Sequence, residues 1–121
     1  MSSILLQVEN NIAYITLNRP DKLNAFNRQM AFLLQDILDQ CAASNDVRCI
    51  VITGAGKGFC AGQDLAEVVD PQGPGMNQIL SEHYNPIISR ITQLKKPVIA
   101  AVNGVAAGAG ANLAISCDIV V

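Results

Sequence analysis

Phe59-Cys60-Ala61-Gly62-Gln63-Asp64-Leu65 and Ala101-Val102-Asn103-Gly104-Val105-Ala106-Ala107-Gly108-Ala109-Gly110 carry more information than the rest of the chain together. Each follows or continues an apolar run, 47–53 in the first case and one beginning at Pro97 in the second, that reads as a buried strand. Each then places small residues where a backbone must come close to something, and the second leads into a helix-like segment. Two such turns can aim two main-chain N–H groups at one point. A pair of fixed N–H donors around a carbonyl oxygen stabilises charge developing on that oxygen, which is the chemistry of an oxyanion hole.

Upstream of these turns, Ile4–Glu9 and 12–18 are short strand-like runs separated by Asn10-Asn11, and Asn tolerates the positive φ of a two-residue hairpin turn. Ile12, Tyr14 and Thr16 alternate with Ala13, Ile15 and Leu17, which predicts a strand with two unlike faces. Pro20-Asp21-Lys22 breaks the run. From Asn27 the period changes: Met30, Leu33, Leu34, Ile37, Leu38 and Cys41 form one helical stripe. The continuous apolar, β-branched run 47–53 predicts a strand buried on both faces, and strand, helix, strand of this size is a βαβ unit of a parallel sheet.

Downstream, 54–64 reads as a loop, and Asp64 with Glu67 three residues on predicts a helix start resembling a capping box. The stretch 70–75, with two Pro and two Gly, reads as a flexible loop. Ile79, Leu80, Tyr84, Ile87, Ile88, Ile91 and Leu94 restore helical spacing, with Pro86 placed to kink or split the helix. A strand over 97–102, a helix over 106–116 and the opening of a further strand at 118–121 complete the pattern, without internal repeats.

Composition bounds the function. A chain of 121 residues fits one domain, and half of its residues are apolar, with no Trp and few other aromatics, so the core is aliphatic. A net charge of −2 without a basic run argues against nucleic acid. No apolar stretch is long enough to span a membrane, and the N-terminus lacks the basic and apolar regions of a secretory signal, which makes the cytoplasm the expected compartment. Cys41, Cys49, Cys60 and Cys117 are scattered and read as reduced, mostly buried apolar residues. With His83 the only histidine, no metal site is expected. Cys60 sits in a motif turn and could pair with His83 as nucleophile and base, although a lone helical His is more often structural or solvated.

Neither nucleotide motif is complete. Gly54-Ala55-Gly56-Lys57-Gly58 follows a strand but lacks the Gly-Lys-Ser/Thr of a phosphate loop. Gly108-Ala109-Gly110 fails the G-x-G-x-x-G pattern at Leu113.

Four blocks, taken in order, resemble the enoyl-CoA hydratase/isomerase (crotonase) superfamily: Leu17-Asn18-Arg19-Pro20 with Leu23-Asn24-Ala25; Ile52-Thr53-Gly54; the Phe59–Leu65 turn; and Lys96-Pro97-Val98-Ile99-Ala100-Ala101-Val102-Asn103-Gly104 with the small residues after it. The resemblance runs from Ile4 to Val121 and covers the N-terminal half of the family's catalytic unit. It implies an α/β fold, the crotonase-like (ClpP/crotonase) spiral of ββα units, incomplete in this chain, with 1–121 as half of one domain and no second domain. It places the two oxyanion donors on the N–H groups of Gln63, after Gly62, and of Ala109, between Gly108 and Gly110. It sets coenzyme A against Leu23, Ala25, Ala61, Asp64 and Leu65, largely through main-chain atoms, with Lys22 in reach of a phosphate. The thioester is then the substrate, no separate cofactor is needed, and the complete enzymes are homo-oligomers, trimers or hexamers.

Asn112 departs from the hydratase pattern. Hydratases of this family add water with two glutamates, the first of them three residues after the second oxyanion donor, and an amide there cannot transfer protons as a carboxylate does. The remaining carboxylate is expected beyond Val121, and Asp64 is the nearest other acid or base, with helix capping as its simpler role. Losing the first glutamate points to isomerases that move a proton along a thioester enolate. The Phe59–Leu65 block with Tyr84-Asn85-Pro86 most resembles the phenylacetate-catabolism isomerases of the family, which act on ring-epoxide CoA esters and on ring double bonds. Two alternatives stand beside that reading: an enoyl-CoA hydratase of fatty-acid oxidation, and a catalytically inert fragment acting only in assembly. Residues 1–121 alone are expected to be inactive, and oligomeric or poorly soluble.

Overall fold

Asn10 and Asn11 adopt φ of 53° and 66°, the left-handed backbone that a two-residue hairpin turn needs at both central positions. They fold β1 (Ile4–Glu9) antiparallel onto β2 (Ile12–Leu17), with Glu9 opposite Ile12 and Ile4 opposite Leu17. This is a computed structural model describing residues 2–73 and 75–121. Ala13, Ile15 and Leu17 are fully buried while Tyr14 between them is exposed, so the two faces of β2 differ as the alternation predicts.

Asn27 caps α1 (Arg28–Ala43), its Oδ1 accepting from the Met30 N–H at 2.9 Å. The stripe Met30, Leu34, Ile37, Leu38 and Cys41 is buried against the sheet. The chain returns as β3 (Cys49–Gly54), parallel to β2, which completes the βαβ unit. Burial along β3 alternates: Ile50 and Ile52 are buried, but Cys49, Val51 and Thr53 are half-covered. The strand is therefore buried on one face only, against the expectation from its apolar run.

The remaining elements are β4 (Gly58–Cys60), α2 (Leu65–Val69), α3 (Met76–Gln78), α4 (Asn85–Gln93), β5 (Val98–Ala100), β6 (Val105–Ala106), α5 (Ala109–Ser116) and β7 (Ile119–Val120). The main sheet has the order β1-β2-β3-β5-β7, and β4 pairs with β6 in a second, two-stranded sheet. Each pass of the chain thus adds one strand to the main sheet (β3, then β5) and one to the small sheet (β4, then β6) before a helix, the ββα spiral that the resemblance implies. Residues 54–64 are accordingly not all loop, because Phe59 and Cys60 are buried in β4. The helix read over 106–116 starts only at Ala109, since β6 holds Val105 and Ala106 and Gly108 sits at φ 53°, outside the helical range for an L-residue. Strand 97–102 is likewise shortened to β5. Asp70 to Gly73 form a turn closed by the Gly73 N–H on the Asp70 carbonyl at 3.0 Å, and Pro74, within the expected 70–75 loop, lies outside the described residues.

Pro86 acts as expected, with a local solution. Between α3 and α4 the residues Ile79–Tyr84 form a π-helical segment, and Pro86 occupies the first turn of α4. Proline has no N–H to donate to the turn before it. Gln35 on α1 provides the donor instead, its Nε2 reaching the Glu82 carbonyl at 2.6 Å and that of His83 at 3.3 Å. A buried polar side chain on the core face of α1 is thereby accounted for.

Two asparagines staple the loop between β3 and β4. Asn24, fully buried at φ 58°, accepts from the Arg19 N–H at 2.7 Å and donates to the carbonyls of Ala55 and Gly58 at 3.0 and 2.9 Å. Asn103 accepts from the Gly54 N–H at 3.0 Å and donates to the Gly56 and Gly58 carbonyls, each at 3.2 Å.

Candidate active site

The two motif turns meet. Gly62 lies at φ +99°, and a Cβ there would stand 3.1 Å from the Ala107 carbonyl oxygen and 3.5 Å from the Ala109 nitrogen. Gly110 lies against the Cys60 backbone so closely that any side chain would collide with it. These contacts set the start of α5 against the end of β4.

Main-chain geometry then aims the donors. The Gly62 carbonyl and the Gln63 N–H belong to one planar trans peptide and point in opposite directions. The Phe26 N–H holds that carbonyl at 2.7 Å, and the Asp64 N–H donates back to the Phe26 carbonyl at 2.7 Å. The Gln63 N–H is therefore turned away from Phe26. Ala109 is the first residue of α5, where an N–H has no intrahelical acceptor. The Gly108 carbonyl of the same peptide accepts from the Asn112 N–H at 3.1 Å. Neither the Gln63 nor the Ala109 N–H has an acceptor among the described residues.

Gln63 and Ala109 line one cavity of about 550 Å³, together with Ala61, Gly62, Gly108 and Asn112. Its remaining wall is mostly apolar, from Leu65, Val68, Met76, Leu80 and Ile88, with Tyr84 and Asn85. That size and lining suit an organic ligand. A second cavity of about 270 Å³ shares Ala61, Gln63 and Leu65 with the first and adds Lys22, Ala25 and Asp64. Leu23 lines neither; it is part-exposed at φ 51° and packs beside Gly58. Several of the main-chain groups assigned to coenzyme A already have partners: the Ala61 N–H donates to the Leu23 carbonyl at 3.0 Å, and the Asp64 N–H is engaged with Phe26.

Asp64 is occupied as a cap. Its Oδ1 accepts from the Ala66 N–H and its Oδ2 from Arg19, both at 2.9 Å. Burial raises its carboxyl, but the Arg19 and Ala66 hydrogen bonds and the charges of Arg19 and Lys22 outweigh burial and hold it below the usual value. A carboxylate held ionised this way is a poor proton shuttle at neutral pH. The capping box, however, does not close. The Asp64 N–H is taken by Phe26, so Glu67 turns elsewhere, its Oε1 accepting from Gln63 Nε2 and its Oε2 from the Arg28 N–H, both at 2.9 Å.

The Cys60–His83 combination has no reactive member. Burial pushes the Cys60 thiol up to about 11, against a hydrogen bond from the Gly62 main chain, which leaves no thiolate at neutral pH. His83 is fully buried, with its ring edge on Phe32 and Nε2 3.4 Å from Arg28 Nη1. Burial first, and then Arg28, lower its pKa against the opposing pull of Glu67 and Glu82. The other cysteines, Cys41, Cys49 and Cys117, are free thiols, all but Cys49 buried.

Sequence reading missed the roles of Tyr84 and Glu67 at this site. The sequence places Tyr84 in an apolar stripe, but its hydroxyl donates to Gln63 Oε1 at 3.0 Å. The Gln63–Glu67 spacing of four on a helix start was the available signal for the other contact.

The α/β spiral thus sets two residues whose main-chain N–H groups have no acceptor among the described residues on the lining of one mostly apolar cavity. Residues 7–121 match the family model for enoyl-CoA hydratase/isomerase, and the chain belongs to that family. It is 50% identical over 124 residues to the 1,2-epoxyphenylacetyl-CoA isomerase of Escherichia coli (strain K12), covering 100% of this chain and 47% of that one. It is 36% identical over 124 residues to the short-chain-enoyl-CoA hydratase of Clostridium acetobutylicum, covering 98% of this chain and 46% of the relative. A solved enoyl-CoA hydratase from Mycobacterium smegmatis superposes with a TM-score of 0.90 at 31% identity, over 99% of this chain and 47% of that one. The chain thus spans about half the length of the relatives it matches. No helix among the described residues is long and apolar enough to cross a membrane.

Proposed function

We propose that this chain forms the thioester-binding, oxyanion-stabilising half of a cytoplasmic acyl-CoA isomerase. The observation that supports it is the pair of unengaged N–H groups, Gln63 and Ala109, on the wall of one cavity. A thioester oxygen between them accepts two hydrogen bonds. When a proton leaves the adjacent carbon, enolate charge gathers on that oxygen, and fixed donors in an apolar cavity favour the charged state without reorganising. The apolar wall from Leu65 to Ile88 takes the acyl group. The neighbouring cavity takes the start of the coenzyme A arm, with Lys22 as the cation available to a phosphate.

Asn112 lines the cavity where hydration chemistry would want a carboxylate. An amide cannot relay the protons of water addition, so the reading favours isomerisation, of a ring-epoxide or an enoyl double bond. The name of the Escherichia coli relative agrees with that choice, and that of the Clostridium relative with a hydratase. The coenzyme A thioester is the substrate, no separate cofactor takes part, and the active form is a homo-oligomer.

The test is steady-state turnover by the complete gene product. Isomerisation of unsaturated acyl-CoAs should far exceed hydration of crotonyl-CoA, and Gln63→Pro, which deletes one donor, should cost about 3–4 kcal/mol of transition-state stabilisation. Efficient water addition to crotonyl-CoA overturns the isomerase assignment. Turnover by folded Gln63→Pro within a few-fold of the parent removes the oxyanion hole.

A further inference from the structure

The Gln63 side chain does not enter the chemistry just described, yet both ends of its amide are engaged. Its Oε1 accepts from Tyr84 Oη at 3.0 Å and its Nε2 donates to Glu67 Oε1 at 2.9 Å. The other Glu67 oxygen accepts from the Arg28 N–H at the start of α1. The directions are forced. A carboxylate only accepts, so the amide nitrogen must face Glu67, its oxygen must face Tyr84, and the tyrosine must donate. Gln63 and Glu67 together therefore tie α1 and α2 to the junction of the π-helical segment with α4.

We infer that Tyr84 and Glu67 are positioning residues, forming with the Gln63 side chain a clamp that holds the Gln63 peptide in the orientation needed to polarise a bound carbonyl. The main chain fixes one end of that peptide plane through the Phe26 N–H on the Gly62 carbonyl. The Asp64 N–H on the Phe26 carbonyl holds the following peptide as well, and the Gln63 side chain is what these main-chain bonds leave free. The clamp restrains it from two sides, with one bond assisted by the Glu67 charge. Tyr84 also lines the cavity, and its ring meets Phe26 edge-on with centroids 6.1 Å apart. The residue that pins the carbonyl and the residue that holds the side chain are thus packed on each other. An acyl group pressing on Tyr84 would be felt at the donor, which links acyl fit to carbonyl polarisation.

This inference rests on the oxyanion reading, and one probe separates the two. The complete gene product is loaded with butyryl-CoA carrying a ¹³C carbonyl, which has neither double bond nor epoxide to isomerise. The carbonyl stretch is read by infrared difference spectroscopy. In the parent, the stretch should move to lower frequency on binding. In Tyr84→Phe, which keeps the ring contact with Phe26, and in Gln63→Met, which keeps the main-chain N–H, the shift should fall to about half or less. Probe affinity should change by no more than about threefold, and turnover should lose about tenfold in kcat with little change in KM. Glu67→Gln should retain more of the shift than Glu67→Ala. A parent without any shift overturns the oxyanion reading and the clamp with it. A parent shift that all folded variants reproduce overturns the clamp alone. If Gln63→Met unfolds, Tyr84→Phe decides.

Discussion

Replacing Gly62 with Ala strikes the point where the two motif turns meet, and the structure permits its cost to be worked out. At φ +99° an L-residue is strained, by about 1–3 kcal/mol for backbone forced into a sparsely populated region. The new methyl would also lie 3.1 Å from the Ala107 carbonyl oxygen. Relieving that approach means moving a main-chain segment that leads directly into α5, which adds about 1 kcal/mol. Gly62→Ala should therefore destabilise by about 2–4 kcal/mol, a large part of the ~5–15 kcal/mol that holds a typical domain. Two further glycines resolve the components. Gly108, at φ 53° and ψ −123°, has nothing within 4 Å of an added Cβ, so Gly108→Ala should cost the strain alone. Gly75, at φ −73° with open space around it, should tolerate Ala within about 0.5 kcal/mol. Denaturant midpoints at constant m-value give the order Gly75, Gly108, Gly62. Because the same methyl would sit 3.5 Å from the Ala109 nitrogen, Gly62→Ala should also lose carbonyl polarisation beyond what its stability explains. A Gly62→Ala variant as stable as Gly75→Ala would refute both the strain and the contact.

Asn24→Ala removes three hydrogen bonds at a fully buried site and places Ala at φ 58°; unfolding should show a loss of about 3–5 kcal/mol, and Asn24→Asp, which keeps the acceptor but faces two carbonyls with a carboxylate oxygen, should not restore it. Asp64 carries a pH signature. Its folded pKa is depressed, so its contribution is complete above the ordinary carboxylate value of about 4 and is lost as pH falls through the lower folded value. Asp64→Asn, which can still cap α2, should cost about 1–2 kcal/mol at pH 7 through loss of the Arg19 pair and should flatten the acid limb of the stability profile below about pH 4. An unchanged acid limb in that variant would remove Asp64 from the account of acid sensitivity.

Much of the fold was legible because its signals are local. The Asn10-Asn11 turn, the α1 stripe, the Asp64 cap and the Pro86 interruption each depend on residues a few positions apart, and each occurs where the pattern indicates. The small-residue turns were legible too, since glycine and alanine at those spacings mark close backbone approach whatever approaches. Three readings failed for one kind of reason. The run through β3 is apolar throughout, yet only the tertiary arrangement determines which face is covered. Ala106 falls inside the helix read over 106–116, because its strand partner, Cys60 of β4, lies more than forty residues earlier in the chain. Glu67 matched a capping box whose N–H had already been taken by Phe26.

By itself the sequence determined the class of fold and the two turns that present main-chain donors, because periodicity, caps and conformational freedom are properties of neighbouring residues. The tertiary structure decided where the donors point and what holds them. The Phe26 N–H turns the Gln63 peptide, Tyr84 and Glu67 hold its side chain, and Gln35 donates to carbonyls of the turn before Pro86. The physical reason is that a hydrogen-bonding group carries its capacity in its chemistry but not its partner. The partner is whichever distant atom packing brings within 3 Å or so, and only the assembled fold settles which atom that is.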